Sequence, residues 1–165
     1  MTPRGEVTVR PATAEDIPSI ASIWHSGWQD GHIGHVPEEL TTARTERSFR
    51  SRAAQRLPDT TIAEINGAVA GFVMVVDDEV EQVYVGEDHR GSGVANILLT
   101  EAERRVQHGG HDTAWLAVVA GNQRARRFYA KCGWVDEGPL DYQAQGPEGP
   151  ITVPSRRYVK AVAAH

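Results

Sequence analysis

Apolar residues at helical spacing mark several segments of the chain. Thr13 and Asp16 resemble a capping box, and the amphipathic helix predicted after them is marked by Ile17, Ile20, Ala21 and Trp24. A second apolar stripe is formed by Ile97, Leu98, Ala102 and Val106. Pro37 is expected to open a short helix, and the arginine-rich segment 45–57 predicts a solvated helix.

Between the helices, β-branched, aromatic and alternating residues predict strands. The predicted strands cover residues 7–10, 62–65, 69–76, 80–85, 113–118, 134–137 and 152–160. Asn66-Gly67 separates two of them and predicts a type I′ hairpin. The chain has no internal repeat and no evident linker. We therefore expect one α/β domain over residues 1–165, with about seven strands and about four helices.

A basic, glycine-rich turn follows the strand at 80–85 and reads Arg90-Gly91-Ser92-Gly93-Val94-Ala95. A helix that begins here leaves backbone N–H groups unpaired at the positive end of its dipole. The turn therefore predicts a phosphate or pyrophosphate site. The P-loop pattern is absent, and Asn96 stands where a dinucleotide fingerprint needs its third glycine. A plain surface turn is the remaining alternative.

A second helix start follows the strand at 113–118. Asn122 is a suitable N-cap, because its side chain can accept an N–H of the first turn. The apolar face of this helix is formed by Ala125, Phe128, Tyr129 and Cys132. Gly133 is placed to end the helix in a left-handed conformation.

Together the two segments resemble the GNAT-type N-acetyltransferase superfamily, which transfers an acetyl group from acetyl-CoA to an amine. Arg90, Gly93 and Ala95 match its Arg/Gln-x-x-Gly-x-Gly/Ala signature. Its second signature is matched, with Trp for Phe at the last position, by Asn122, Ala125, Phe128, Tyr129, Gly133 and Trp134. The resemblance covers residues 7–137. It implies a GNAT-like α+β fold in which helices flank a mixed, mostly antiparallel sheet.

The resemblance also implies an acetyl-CoA site. The pyrophosphate is expected on Arg90, Gly91, Ser92, Gly93, Val94, Ala95 and Asn96. The pantetheine arm is expected along the main chain of Val83, Tyr84 and Val85, where two strands splay apart. Contacts from the second helix are expected from Asn122, Ala125, Phe128, Tyr129 and Lys131. This helix carries four cations that either form a solvated face or supply one or two contacts to the 3′-phosphate: Arg124, Arg126, Arg127 and Lys131.

Acetyl transfer needs a base, because an alkyl amine has a pKa of about 10. Glu81 is the candidate base, since family members with a catalytic glutamate often carry it at this position. Strand alternation would place Glu81 on the same face as Val83 and Val85, barring a bulge. Glu79 and Glu87 are the competing candidates, and a solvent-facing role for Glu81 is an alternative.

The departing thiolate needs a proton, and the resemblance assigns this role to Tyr129. An ordinary core tyrosine is the alternative, because Tyr129 lies on the apolar helix face. The resemblance also implies that a backbone N–H near residues 83–85 polarises the acetyl oxygen. Cys132 lies on the same buried stripe, so core packing is favoured over an acetyl-enzyme, and direct attack in a ternary complex is expected. No metal is predicted, because the histidines lack ligand partners at suitable spacing.

The acceptor site is expected between the first helices and a late loop. Trp28, His32 and His35 are candidate lining residues, as is Tyr142 in the proline- and glycine-rich segment 138–150. That segment is predicted to be a long loop, which either contacts the acceptor or packs across a homodimer interface.

Composition narrows the class of protein. Hydrophobic residues make up 40% of the chain and charged residues 24%, as in ordinary globular domains. The net charge of −5 argues against nucleic-acid binding. Neither a membrane-spanning run nor a signal-peptide core is evident, and the single cysteine fits a reducing compartment. The expected location is therefore cytoplasmic, without a membrane partner.

The function predicted from the sequence is acetylation of a small-molecule amine, such as a polyamine, amino acid or aminoglycoside. Acetylation of a protein N-terminus or lysine is a second reading, because the sequence does not show whether the 138–150 segment leaves a peptide groove open. A catalytically silent acyl-CoA-binding module on the same fold is the third.

Overall fold

The computed structural model describes residues 6–163, which form seven strands and five α-helices. The strands are β1 Val7–Pro11, β2 Thr60–Ile65, β3 Ala68–Val76, β4 Glu79–Val85, β5 Thr113–Val119, β6 Val135–Gly146 and β7 Gly149–Ala161. The helices are α1 Ile17–His32, α2 Glu38–Ala43, α3 Glu46–Gln55, α4 Val94–His108 and α5 Gln123–Lys131. Five helices are present where about four were expected, and each corresponds to one of the five segments for which the sequence predicted a helix.

The strands form one mixed sheet in the order β1-β2-β3-β4-β5-β7-β6. Neighbouring strands are antiparallel except β4 and β5, which run parallel. The predicted mixed, mostly antiparallel sheet is therefore confirmed. The turn between β2 and β3 has positive φ at Asn66 (52°) and Gly67 (80°), as the predicted type I′ hairpin requires.

The start of α1 shows how a local sequence signal becomes structure. Thr13 and Asp16 form the predicted capping box, in which the Thr13 N–H donates to Asp16 Oδ2 at 2.8 Å. The Arg10 guanidinium also contacts Asp16 at 2.8 Å, and this pairing lowers the pKa of the Asp16 carboxyl. The Asp16 carboxylate therefore links Arg10 of β1 to the start of α1.

Each face of the sheet buries its own apolar cluster. On the α1 and α3 face, the Trp24 ring lies 5.2 Å from the Phe49 ring and 5.8 Å from the Phe72 ring, and all three are fully buried. On the opposite face, α4 buries Leu98 and Val106 against the sheet. Burying one such side chain contributes about 1.5–3 kcal/mol.

The segment 138–150, predicted to be a long loop, instead belongs to the β6–β7 hairpin. β6 pairs with β7 from Val135↔Val159 to Gly146↔Gly149. Pro150 and Pro154 lie before Ser155, where the pairing of β7 with β5 begins, so the missing proline N–H groups break no β5 ladder. The loop prediction was wrong. Proline and glycine usually indicate a turn, but a strand segment that is paired on only one side tolerates them.

Phe49→Ala should lower the free energy of unfolding by about 3–5 kcal/mol, because it leaves a cavity beside Trp24. Arg47→Ala, on the exposed side of the same helix, should change it by no more than about 0.5 kcal/mol. Denaturant unfolding measures both. Equal effects would show that α3 does not anchor the core.

Candidate active site

The sheet opens between β4 and β5. The two strands share one residue pair, Glu79↔Trp115, and the Trp115 N–H donates to the Asp78 carbonyl at 3.0 Å. Beyond that point β4 pairs only with β3 among the described residues. A wedge-shaped gap with free backbone groups therefore lies beside Val83 and Tyr84, two of the residues expected to hold the pantetheine arm.

A β-bulge sits in β4 beside this gap. Met74 of β3 pairs with Gln82 and Val75 pairs with Val80, so Glu81 is an extra residue in the ladder. The expected alternation of Glu81 with Val83 is therefore wrong. Val83 packs against the α4-side core, whereas both Glu81 oxygens accept from Arg56 at 2.8 and 3.1 Å, at the end of α3 on the other face.

The glycine-rich turn leads into α4 with an uncapped helix start. Gly91 (φ 78°) and Gly93 (φ 89°) are left-handed, and Gly93 is the N-cap. No side chain of the described residues caps α4, so the first-turn amides of Val94 and Ala95 face outward without a side-chain partner. Such amides at a helix N-terminus suit an anion.

The other polar residues of the turn are engaged within the protein. Arg90 forms an ion pair with Asp30 of α1 at 2.8 Å. The Ser92 hydroxyl donates to the His89 carbonyl. Asn96 accepts from the Cys132 thiol at 3.1 Å, which joins the start of α4 to the end of α5. Arg90 is therefore oriented by α1, and its charge is partly balanced.

The helix α5 presents its predicted cap and tyrosine to the gap. The Asn122 side chain accepts from the Ala125 N–H at 3.2 Å, which confirms the predicted N-cap. Asn122, Ala125 and Tyr129 line a cavity that extends from the gap. Burial raises the pKa of the Tyr129 phenol, so its hydroxyl keeps its proton at neutral pH. Phe128 packs in the α4-side core, and Lys131 is exposed.

The cavity has a volume of about 280 Å³ and passes from the gap to a chamber beneath the β6–β7 hairpin. Trp28, His32 and Tyr142, three of the four predicted acceptor residues, line it. The fourth, His35, is exposed beside Gly121 and lies outside the cavity. Tyr142 thus reaches the cavity from a strand rather than from a loop.

His32 is held as a neutral ring in the chamber. It stacks on Trp28 with ring centroids 4.7 Å apart, and its Nδ1 lies 3.0 Å from the Trp28 carbonyl. Burial lowers the pKa of His32 to about 4, so the imidazole is uncharged at neutral pH. Because a carbonyl can only accept, Nδ1 carries the hydrogen and Nε2 is free to accept from a ligand.

Glu79 lines the same chamber. Its carboxylate accepts from the Tyr142 hydroxyl at 3.0 Å, and burial raises its pKa above the ordinary glutamate value. The raised value brings Glu79 closer to the range of a general base at neutral pH. Glu81 lies at the same chamber, with Arg56 on both of its oxygens.

Sequence reasoning missed three arginines that line the cavity, namely Arg56 and the two without an acidic partner among the described residues, Arg44 and Arg52. A signal was present for the last of them. Arg52 follows Phe49 by three positions and precedes Ala53, so it lies on the buried face of a helix that the sequence suggested was solvated. No comparable signal marks Arg44, which stands between two helices.

Residues 19–134 match the family described as "Acetyltransferase (GNAT) family". This chain belongs to that family. An uncharacterised N-acetyltransferase of Mycobacterium tuberculosis is 29% identical over 117 residues, which cover 66% of this chain and 75% of the relative. The L-methionine sulfoximine/L-methionine sulfone acetyltransferase of Pseudomonas aeruginosa is 26% identical over 149 residues, covering 84% and 86%.

Among solved structures, the yncA protein of Salmonella typhimurium, solved with its cofactor acetyl-CoA, shares the fold with a TM-score of 0.65. The two chains are 18% identical, with 97% of this chain and 96% of the other covered. The GNAT protein described here is accordingly an acetyl-CoA-dependent acyltransferase. Its gap between β4 and β5 and its uncapped α4 are compatible in shape and charge with a long, phosphorylated thioester.

The structure of this GNAT protein also bears on membrane and metal binding. Across residues 6–163, no helix is both long and apolar enough to cross a membrane. The same residues contain no group of three or more His, Cys, Asp or Glu side chains arranged to hold a metal ion.

Gly93→Ala should weaken acetyl-CoA binding about 10- to 100-fold, because a left-handed alanine strains the N-cap and turns the first-turn amides away. Gly67→Ala is the matched control, since Gly67 is also left-handed with open space for a Cβ but lies in the β2–β3 turn. Both changes should cost about 1–2 kcal/mol of stability. Calorimetric titration with acetyl-CoA measures the affinity of each variant. Equal affinities would show that the turn is not part of the coenzyme site.

Proposed function

We propose that this protein transfers the acetyl group of acetyl-CoA to the amine of a small molecule, with both substrates bound at once. One observation carries the proposal: a single cavity of about 280 Å³ joins the gap between β4 and β5 to the chamber at Glu79 and Tyr142. An amine in that chamber reaches the thioester without a covalent enzyme intermediate. The P. aeruginosa relative, whose described acceptors are L-methionine sulfoximine and sulfone, supports a small acceptor.

The coenzyme is proposed to lie along β4 and the start of α4. The free edge of Val83, Tyr84 and Val85 offers backbone partners to the pantetheine arm, as a strand edge does for an added strand. The amides of the turn from Gly91 to Asn96, with Arg90 beside them, receive the pyrophosphate. Asn122 contacts the arm from the other side of the gap.

Further coenzyme contacts are proposed on α5. Ala125 lines the cavity beside the thioester region, and Phe128 supports the helix from the core. Lys131 is exposed and free to meet the 3′-phosphate, whereas the Arg126 guanidinium donates to the Tyr158 hydroxyl, the Ala120 carbonyl and the Asp136 carboxylate. A role in phosphate binding therefore suits Lys131 better than Arg126.

For the base, we propose that Glu79 or Glu81 accepts the proton of the acceptor ammonium through water. The sequence favoured Glu81, and the bulge does bring Glu81 to the chamber. The contacts favour Glu79, since Glu81 is occupied on both oxygens by a permanent cation and Glu79 accepts only from a neutral phenol. A carboxylate free of a guanidinium is the better proton acceptor.

For the acid, we propose that Tyr129 donates its hydroxyl proton to the coenzyme thiolate as the carbon–sulfur bond breaks. Its phenol lines the cavity at the β5 side of the gap and is protonated at neutral pH. A thiol pKa of about 8.5 lies below that of the phenol, so this transfer is uphill by itself. It is driven by collapse of the intermediate, and the proton that the attacking amine nitrogen releases restores the phenol. A free backbone N–H of residues 83–85 would stabilise the oxyanion.

A thiol-release assay with acetyl-CoA and a panel of amines, aminoglycosides and peptides tests the function. Turnover of small amines with silence toward peptides is expected. Turnover of peptides alone would establish the protein-acetylating alternative, and tight coenzyme binding without any turnover would establish the silent module. The cytoplasmic location stays a prediction from the sequence, and the homodimer stays one of the two alternatives for the segment 138–150.

Tyr129→Phe should lower kcat by about 100-fold or more while leaving the acetyl-CoA affinity unchanged, because only the proton donor is lost. Tyr158→Phe is the matched control. Its ring centroid lies 6.2 Å from that of Tyr129, but its hydroxyl accepts from Arg126. Stopped-flow or steady-state thiol release measures both variants. A parental kcat in Tyr129→Phe would exclude it as the acid.

Glu79→Gln should lower kcat/KM most between the Glu79 pKa and neutral pH, where the parent has its base and the amine is protonated. The effect should be least at high pH, where bulk solvent already supplies neutral amine. In the parent, kcat/KM should fall with decreasing pH through a pKa above the ordinary glutamate value of 4.5, since protonation removes the base. Comparing the pH profiles of Glu79→Gln and Glu81→Gln assigns the role. A parental profile in Glu79→Gln with a changed one in Glu81→Gln would reverse our assignment.

A further inference from the structure

Two arginines face the acceptor chamber without an acidic partner. Arg44, between α2 and α3, is 8% exposed, and its Nε is buried with no hydrogen-bond partner among the described residues. Arg52 of α3 places its guanidinium carbon 4.4 Å from the centre of the Trp24 ring. Neither side chain forms an ion pair or hydrogen bond within residues 6–163. Both line the cavity.

Other arginines with partly buried side chains form ion pairs with carboxylates. Arg10 contacts Asp16 and Glu64, Arg56 contacts Glu81, and Arg156 contacts Asp136. A buried charge without a partner is costly, so it persists where something other than stability maintains it. Burial lowers the pKa of Arg44 to about 10, and at neutral pH the side chain is still a cation.

The charge balance of the chamber is positive on the side of α3. Arg56 is neutralised by Glu81, which leaves Arg44 and Arg52 against Glu79 alone. Burial raises the pKa of Glu79, which reduces its tendency to carry charge. The remaining groups on this side add no negative charge, since His32 is neutral and Tyr84 has a raised phenol pKa. A purely cationic acceptor would face net repulsion here.

Arg44 and Arg52 also have suitable donors for one anion. A guanidinium presents a planar fork of N–H groups that matches a carboxylate, and stacking on Trp24 restrains the plane of Arg52. Glu79 lines the same cavity from β4 without a guanidinium partner and is suited to an ammonium group. The chamber thus has a cationic region on the α3 side and an acidic region at β4.

Resting on the proposed acetyl transfer, we propose that Arg44 and Arg52 bind a carboxylate of the acceptor, which is therefore an amino acid or a close amino-acid analogue. The acceptor carboxylate lies toward α3, and its amine lies toward β4 and the gap. Polyamines and aminoglycosides, which lack a carboxylate, are excluded as preferred acceptors.

The acceptor preference is tested on the full-length protein with matched compounds. Each of the L-amino acids is compared with its carboxamide and with the amine that lacks the carboxylate, at saturating acetyl-CoA. At least one amino acid should exceed both of its neutral counterparts about 10- to 100-fold in kcat/KM, as expected for hydrogen bonds between charged groups. Equal or better turnover of the counterparts throughout would overturn the proposal.

Variants assign the preference to the two arginines. Arg44→Gln and Arg52→Gln should each raise the KM for the preferred amino acid about 10- to 100-fold, with unchanged acetyl-CoA affinity and unchanged turnover of its carboxamide. Arg50→Gln is the matched control, since Arg50 lies on α3 with Arg52 but is exposed and paired with Glu46. Arg44→Lys and Arg52→Lys keep the charge and should recover part of the affinity. If turnover of the amino acid and of its carboxamide falls by the same factor, the arginines have a structural role and the proposal is overturned.

The test distinguishes failure of this proposal from failure of the proposed function. Turnover of amines without a carboxylate preference overturns the carboxylate site and leaves acetyl transfer intact. If no amine is acetylated, calorimetric titration of the amino acids into the CoA-saturated protein decides. If an amino acid binds to the parent and not to Arg44→Gln, the carboxylate site is supported and acetyl transfer is not. If no amino acid binds, both the carboxylate site and the proposed acetyl transfer are overturned.

Discussion

The incomplete pairing of β4 with β5 is the feature on which the rest of the structure depends. A parallel ladder continued past Glu79 and Trp115 would consume the backbone groups of β4 along its whole length. Because it stops after one pair, an edge of unpaired N–H and C=O groups lies inside the protein, where such groups require a partner. The remaining elements keep this gap open: β3 holds β4 on one side, β7 holds β5 on the other, and the start of α5 is pinned by Asn122.

The bulge at Glu81 determines which side chains of β4 face the cavity. An extra residue on β4 resets the alternation, so Val83 faces the α4-side core while Glu81 turns to Arg56 on the opposite face. Two carboxylates from one short strand thereby lie at one cavity in different surroundings, one paired with a cation and the other with a phenol.

The β6–β7 hairpin completes the chamber. Tyr142 reaches across to Glu79, while Ile151 and Val153 pack in the same core as Trp24, so the cover is tied to the main body of the fold. This packing supports the proposed small-molecule acceptor. Arg44 and Arg52, which have no acidic partner within residues 6–163, lower stability, and a ligand that neutralises them would recover part of that cost.

The sequence by itself determined the local features, because these depend on neighbours in the chain. They are the capping box at Thr13, the N-cap at Asn122, the left-handed Gly133 after α5 and the hairpin at Asn66-Gly67. Two signatures also sufficed for the family and for Tyr129 at the cavity. Only the tertiary structure decided the features that join distant segments. The ion pair between Glu81 and Arg56 spans 25 positions, and the contact between Glu79 and Tyr142 spans 63. The bulge, the hairpin at 138–150 and the buried arginines were hidden for one physical reason, since strand register, proline tolerance and burial are set by what packs alongside a segment rather than by the segment itself.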